Sequence, residues 1–494
     1  MPAPRLAVLV LAAVAIGARA GALPPVPEPV ENPTTEAKRV LGKILFWDEQ
    51  LSSDNSVACG TCHRPASGGA DPRVGVHPGT DKGTIDDVLG SPGIAALDSA
   101  GKPVVHPVFG TSPQITRRAA PSNFGALWAD ELFWDGRAGG TLRDPLTGEV
   151  AIARGGALEN QALEALANEA EMAHAGRTWA ELTAKIAASR PLALAADLPA
   201  DVAAALAARP SYPALFEAAF GDPAVTPVRI AFAIAAYERT LVADETPWDR
   251  YMAGDERALT PSQVYGWETF RAFHCDGCHA PPLFTNNQFF NIAVRRADFD
   301  RGRELVTDDP EDAGEMKVPS LRNVGLRPRF MHTGAFGNLG AAVSFYVSAS
   351  ALPERDGIPG AGIYTFNLSA IQVADIRDFL SGGLTDPRVR DERFPFDRPK
   401  LRTERHTDDR TPPSPPSRFA ASRAAGGVRL AWEAAHDDTG VVDYVLERDG
   451  RVIAYPTGTS YFDEAGGAGA RYVLVARDAA RNASAPAEAT PGEP

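Results

Sequence analysis

Apolar residues recur every three or four positions along most of the chain, a spacing that predicts helices with a buried face. The pattern covers residues 158–173, 201–220 and 227–243, and the last stretch is apolar enough for a fully buried helix. A further helix is predicted over residues 262–273, directly before a short string that contains cysteine. The chain up to residue 402 is therefore expected to be mainly α.

The pattern changes beyond residue 402. Residues 403–417 are charged and rich in proline and serine, which is typical of a linker. Residues 418–494 hold short alternating runs separated by turn residues, at 427–434, 443–450, 451–456 and 471–478. These runs predict a small all-β sandwich with Trp432, Tyr444 and Tyr472 in its core. This segment resembles a fibronectin type III domain.

The N-terminus is typical of an export signal. Arg5 precedes an apolar run from Leu6 to Ile16, and a small-residue cleavage site ends at Ala20, so residues 1–20 are predicted to be removed. The run is shorter than the roughly 20 residues that a spanning helix needs, although an uncleaved anchor is the alternative. No later segment predicts a transmembrane anchor, and we expect a periplasmic protein. The formal net charge of −14 argues against nucleic acid as a partner.

Cysteine use gives the strongest chemical signal. All four cysteines fall in two Cys-x-x-Cys-His strings, with Cys59, Cys62 and His63 in the first. Cys275, Cys278 and His279 form the second string. Such a string suits covalent attachment of haem c by two thioethers, with the histidine on iron. Zinc and a redox disulfide are the alternatives, but zinc wants four ligands and a disulfide needs no histidine.

Two anchors imply two cytochrome c-like haem lobes, which we expect at residues 21–225 and 226–402. The strings that accompany the anchors are ELFWDGRAGG (131–140), LENQALEALANEAEM (158–172), DRGRELVTDD (300–309), KVPSLRNV (317–324) and FMHTG (330–334). With them the chain resembles the bacterial di-haem cytochrome c peroxidase and MauG family. The resemblance implies that the N-terminal haem reacts with peroxide and that the C-terminal haem receives electrons.

The resemblance also implies roles near the first haem. His77 matches a histidine that caps the iron at rest and leaves on activation; a surface histidine is the alternative, and His106 is the rival in the same loop. Glu171 matches the acid–base glutamate and Gln161 a distal hydrogen-bonding residue, against the alternative of a solvated helix face. Trp134 matches the tryptophan between the haems, although a core tryptophan would look the same.

The sixth ligand of the second haem is open between two residues. The family's methionine position, fourteen residues after His332, holds Tyr346, as in the MauG branch, while Met331 is the alternative. The resemblance further allows a homodimer and a calcium ion between the lobes. Ala119 stands where the calcium-binding asparagine is expected, with Asn123 as its substitute.

Three functions follow from these expectations. The first is a peroxidase that reduces hydrogen peroxide to water with electrons from a small periplasmic cytochrome c or copper protein. The second is a MauG-like oxidase of a protein or organic substrate, favoured by Tyr346. The third is an electron-transfer cytochrome without catalysis, against which Glu171 and Gln161 count.

Overall fold

The computed structural model describes residues 21–79, 83, 86–347, 366–405, 409–438, 440–456, 458–478 and 482–492. The predicted signal peptide, residues 1–20, lies outside these ranges. Over the described residues the chain is about 30% helical and 18% strand. Among them, no helix combines the length and the apolar character that crossing a membrane requires.

Thirteen α-helices are assigned within the described residues. They are Glu36–Phe46 (α1), Cys59–Cys62 (α2), Ala157–Ala167 (α3), Trp179–Ala188 (α4), Ala200–Ala208 (α5), Tyr212–Phe220 (α6), Pro227–Glu238 (α7), Pro247–Met252 (α8), Pro261–Ala272 (α9), Glu304–Thr307 (α10), Leu339–Phe345 (α11), Ala370–Asp378 (α12) and Pro387–Arg390 (α13). Helices occur in each stretch that the apolar spacing predicted, with residues 201–220 divided between α5 and α6. Helix α3 ends at Ala167 and α7 at Glu238, short of the predicted ends at residues 173 and 243.

Short strands pair within the loops, and longer strands follow the helices. The strands are Gly75–His77 (β1), Val88–Gly90 (β2), Pro92–Ala95 (β3), Pro113–Ile115 (β4), Leu142–Arg143 (β5), Val150–Ile152 (β6), Phe289–Phe290 (β7), Met316–Lys317 (β8), Ser417–Ala424 (β9), Gly427–Glu433 (β10), Val441–Arg448 (β11), Arg451–Ala454 (β12), Ser460–Asp463 (β13), Tyr472–Asp478 (β14) and Ala487–Ala489 (β15). Antiparallel pairs join β1 to β2, β3 to β4, β5 to β6 and β7 to β8.

The first hydrophobic core is built around α1 and α7. Thr35 caps α1, its side chain accepting a hydrogen bond from the Lys38 nitrogen, and Leu41 is fully buried. Gly42 allows α1 to approach α7 closely, because a Cβ at this position would lie 1.8 Å from the Ala233 carbonyl oxygen of α7. Helix α7 follows the boundary expected at residue 226, yet its apolar face belongs to this first core.

A second core surrounds α9 and α12. Aromatic side chains dominate it, and their rings meet edge-on or tilted except for Trp267 and Phe270, which stack. The largest are Trp248, Trp267, Phe270, Phe284 and Phe379. The segment that follows α12 packs against the first hydrophobic core, to which it contributes Val389, Phe396 and Leu401. The two cores are therefore tied together by the segment after α12 as well as by the chain between α7 and α8.

The C-terminal β region contains two antiparallel sheets over a shared core. One sheet has the strand order β13-β10-β9, and the other has the order β12-β11-β14-β15. Buried and less buried residues alternate along β10 and β14, as the sequence pattern predicts. Trp432, Tyr444 and Tyr472 lie in the shared core. The side chain of Tyr455 in this region lies close to that of Thr111 in the helical part.

Candidate haem site and its surroundings

The first Cys-x-x-Cys-His string forms a single helical turn. Cys59–Cys62 is α2, and the backbone nitrogen of Ala58 donates to the Thr61 hydroxyl at 2.9 Å. Gly60 lies against the Trp47 ring, since a Cβ at Gly60 would approach the ring to 2.2 Å. Residues three apart on a helical turn are neighbours on one face, which is the spacing that double attachment of a porphyrin requires.

The second string follows α9 directly. Cys275–Gly277 forms a 3-10 turn, entered through His274 in the left-handed region at φ 57°. None of the four cysteines is in a disulfide. Burial raises the pKa of Cys59 and of Cys275 to about 12, which is opposite to the lowered pKa of redox-active thiols.

Zinc also fits the cysteines poorly. Within the described residues, the three side chains close enough to share a metal ion are Asp409, Asp437 and Asp438. No comparable group in that part of the chain contains a cysteine. A structural zinc site needs about four ligands around one ion. The thiols are therefore suited to haem attachment rather than to zinc.

The histidine of each string has the same orientation. Nδ1 of His63 lies 3.0 Å from the Gly69 carbonyl oxygen, and Nδ1 of His279 lies 3.1 Å from that of Pro319. A carbonyl only accepts, so Nδ1 carries the proton and the Nε2 lone pair is left for iron. Burial lowers the pKa of His279 to about 4 and lowers that of His63, which keeps both rings neutral for ligation.

A cavity of about 900 Å³ opens beside the first string. Its volume lies in the range of roughly 300–1,000 Å³ that is usual for cofactor pockets. Predicted site residues from distant parts of the chain meet on its wall: Cys62, His63, His77, Trp134, Gln161 and Glu171. Thiol, imidazole and carboxyl groups at one cavity fit a bound haem c.

Glu171 lies in the turn after α3, not on the helix itself. Asn168 Nδ2 donates to the Glu171 carboxylate at 3.0 Å, and Gln161 reaches the same cavity from α3. Burial raises the pKa of Glu171 to about 7, so this carboxyl changes its charge near neutral pH. Such a group can accept and return a proton at the cavity.

His77 and His106 differ in which nitrogen is free. His77 lines the cavity, and its Nδ1 lies 3.1 Å from the Pro78 carbonyl oxygen, which leaves the Nε2 lone pair for a metal. Nδ1 of His106 instead accepts the Val108 and Phe109 backbone N–H groups at 3.1 and 3.2 Å. The proton of neutral His106 is therefore on Nε2. Between the two rivals, the geometry favours His77 as an iron ligand.

Trp134 is held by hydrogen bonds to Ala119 and Lys317. Its indole Nε1 donates to the Ala119 carbonyl at 2.8 Å, and its carbonyl oxygen accepts from the Lys317 nitrogen at 2.7 Å. Two residues beyond Lys317, the Pro319 carbonyl receives the bond from His279. The segment 317–319 therefore connects the tryptophan at the cavity with the histidine of the second string.

Met331 packs against the second core, and Tyr346 directly follows α11. The Tyr346 carbonyl accepts from the Phe366 nitrogen at 3.2 Å; residues 348–365 lie outside the described ranges. Met331 packs against the core in the left-handed conformation at φ 65°. In the same core, the Phe270 ring lies 6.5 Å from that of His279.

At the predicted calcium position, Ala119 stands in place of the expected asparagine. The Ala119 carbonyl is engaged by Trp134, whereas Asn123 Oδ1 is buried and has no hydrogen-bond partner among the described residues. Asn123 lines the cavity together with Glu238, whose pKa is raised to about 8 by burial. Asn123 therefore has an oxygen available for a cation or a water molecule.

Sequence reasoning missed Glu238 and Lys317 as cavity residues. Glu238 ends the apolar helix α7, where a charged residue in a buried stretch was the available signal. Lys317 is the first residue of the KVPSLRNV string. That string supported the family resemblance, but no role was predicted for the lysine itself. Neither position is adjacent in sequence to the anchors.

Comparisons with known proteins show similarity to one group of haem proteins. The family model of di-haem cytochrome c peroxidase matches residues 36–257. Methylamine utilization protein MauG of Methylophilus methylotrophus is 27% identical over 72% of this chain and 84% of that protein. The comparisons support the di-haem cytochrome c peroxidase and MauG family. They support a di-haem peroxidase, and that family implies two haem c groups.

Two further matches concern activity and fold. Cytochrome-c peroxidase IdrP1 of Denitromonas iodatirespirans is 28% identical over 78% of this chain and 92% of that protein. A solved MauG-like protein associated with microbial copper homeostasis has a TM-score of 0.53 and 24% identity, covering 76% of this chain and 96% of that chain. The latter match concerns the fold alone. The peroxidase activity inferred from sequence is confirmed at the level of the family.

Proposed function

We propose that this peroxidase is exported to the periplasm and reduces hydrogen peroxide to water, with electrons from a small cytochrome c or copper protein. The observation that carries the proposal is the single cavity shared by His63, His77, Gln161 and Glu171. It combines an iron-ligating imidazole, a second imidazole and a carboxyl that titrates near neutral pH.

Each Cys-x-x-Cys-His string would hold one haem. Cys59 and Cys62 would attach the first haem with His63 as the iron ligand, and Cys275, Cys278 and His279 would hold the second. Bound there, the haems supply redox-active iron that accepts and passes electrons. The Gly69 and Pro319 carbonyls fix the two imidazole rings in the orientation that ligation needs.

His77 would close the first site at rest and leave it for turnover. Its free Nε2 and its place on the cavity wall support this role. Glu171 would take the proton from one peroxide oxygen and deliver it to the other, while Gln161 hydrogen-bonds the substrate. Trp134 would assist electron transfer between the two haem sites, since its hydrogen bonds reach both lobes.

A MauG-like oxidase is the second candidate. Relatives named MauG match the chain, and Tyr346 would support this reading if its phenolate ligated the second haem. Harder phenolate ligation lowers a haem potential relative to methionine. A plain electron-transfer cytochrome accounts less well for a carboxyl and an amide at the first cavity.

Several features complete the proposal. The predicted lobes at 21–225 and 226–402 would each carry one haem, followed by the linker at 403–417. The β region at 418–494 would be a fibronectin type III-like sandwich, as its two sheets over one core suggest. Asn123 would contribute to a calcium site, and the protein would form a homodimer.

The test has two parts. A pyridine haemochrome assay should find two covalent haems per chain, and EPR during reductive titration should show one iron losing a ligand at half-reduction. Steady-state assays with a reduced donor cytochrome should then show consumption of peroxide. A fully loaded and half-reduced protein that leaves peroxide untouched would contradict the peroxidase proposal.

A further inference from the structure

Lys317 brings a cation to the cavity from the second half of the chain. It ends β8, where it pairs with Phe289 of β7, and its backbone nitrogen donates to the Trp134 carbonyl at 2.7 Å. The side chain lines the cavity that also contains His63 and Glu171. Its position is therefore fixed by a strand pair and by the tryptophan backbone.

The Lys317 ammonium makes no hydrogen bond or ion pair among the described residues. The acidic residue that influences it electrostatically is Glu131, whose carboxylate pairs with Arg303 at 3.0 Å. Burial lowers the pKa of Lys317 to about 8. Lys317 is half-buried, and an ammonium that is partly withdrawn from water without an anion is destabilised, so a negative group bound near this side chain would stabilise it.

Two arginines at this cavity are already paired with carboxylates. Arg118 is paired with both Asp135 and Asp300, at 2.6 and 2.7 Å. Arg137 bonds Asp135 and Glu164. These guanidinium groups are already neutralised by protein carboxylates, whereas Lys317 is available for a ligand. A haem bound in the cavity carries propionate carboxylates of the complementary charge.

We propose that Lys317 binds a propionate carboxylate of the haem attached at Cys59 and Cys62. This inference rests on the proposed haem placement and adds a residue that positions and tunes that group. A free small carboxylate in the cavity would offer the same chemistry, and the experiment must separate the two sources.

The test compares three full-length, haem-loaded variants, Lys317→Met, Lys317→Arg and Lys102→Met. Lys102 is exposed and serves as the matched loss of one positive charge. Spectroelectrochemical titration measures the midpoint potential of each haem. A nearby cation favours the reduced haem, so Lys317→Met should lower the potential of the first haem only. Lys317→Arg should retain it, and Lys102→Met should leave both potentials unchanged.

The measured potentials and haem counts distinguish between the possible outcomes. An unchanged first potential in Lys317→Met, with two haems counted, would overturn the role of Lys317 while leaving the peroxidase proposal intact. Loss of the first haem from Lys317→Met but not from Lys317→Arg would support the role. A difference between wild type and Lys317→Met that appears only when acetate is added would assign the site to a free carboxylate and overturn the proposal. Fewer than two haems in the wild type would instead remove the proposed function itself.

Discussion

The indole nitrogen of Trp134 donates a hydrogen bond to the carbonyl oxygen of Ala119 at 2.8 Å. This bond fixes the ring at the edge of the cavity, and the Trp134 ring meets that of His332 edge-on with 6.1 Å between centroids. Ala119 occupies the position at which a calcium-binding asparagine was expected. Its carbonyl orients the tryptophan.

Replacing Trp134 with phenylalanine should slow electron transfer between the haems. The ring becomes smaller and loses its bond to Ala119, and the unpaired carbonyl should cost about 1–3 kcal/mol of stability. Stopped-flow spectra after addition of peroxide would follow oxidation of the second haem. The control is Trp432→Phe in the β region, where the transfer rate should be unchanged. Equal rates for Trp134→Phe and wild type would refute a bridging role.

Replacing Glu171 with glutamine should lower kcat by about 10²–10⁴-fold with unchanged haem spectra, because proton transfer is lost. In the wild type the ionised carboxylate accepts the proton. Its pKa of about 7 therefore predicts that the rate falls as the pH drops below about 7. This acidic limb should be absent from Glu171→Gln. Glu164→Gln, on the neighbouring helix and paired with Arg137, should keep most of the activity.

Replacing His77 with alanine should open the first haem in the oxidised protein. The low-spin EPR signal of that haem should be lost without any reductive activation. His106→Ala is the control, because Nδ1 of His106 is already bonded to two backbone N–H groups. A high-spin signal in His106→Ala, together with a wild-type spectrum for His77→Ala, would reverse the assignment.

Replacing Tyr346 with methionine should change the optical and EPR signals of the second haem and raise its potential, if the phenolate is the sixth ligand. Met331→Leu should then have no effect on the same signals. The opposite pattern, with a response only in Met331→Leu, would identify Met331 as the ligand.

Replacing Glu159 with glutamine should destabilise the fold by about 3–5 kcal/mol, because it leaves a buried charge on Arg239 without its partner. Glu159 and Arg239 are 0% and 2% exposed and lie 2.8 Å apart. Urea unfolding monitored by far-UV circular dichroism gives the free energy. Asp222→Asn, in an exposed pair with Arg229, should leave the unfolding curve unchanged. Similar small shifts for both variants would contradict the importance of the buried pair.

Much of the local structure could be predicted because it depends on residues close in sequence. Apolar spacing predicted α3, α7 and α9, and alternation predicted β10 and β14. The two Cys-x-x-Cys-His strings and the motifs that accompany them indicated a di-haem peroxidase, which the comparisons support. The assignment of the β region to the fibronectin type III fold stays a prediction.

The sequence by itself determined the main helices and the class of enzyme and predicted the haem anchors, because each depends on short motifs or on local periodicity. Only the tertiary structure decided that α7 packs on α1, that Glu171 reaches the cavity from a turn, and that Lys317 joins it from the other lobe. The tautomers of His77 and His106 were also decided there, since each depends on which backbone group lies beside Nδ1. Contacts between distant residues depend on packing in three dimensions, which no short stretch of sequence encodes.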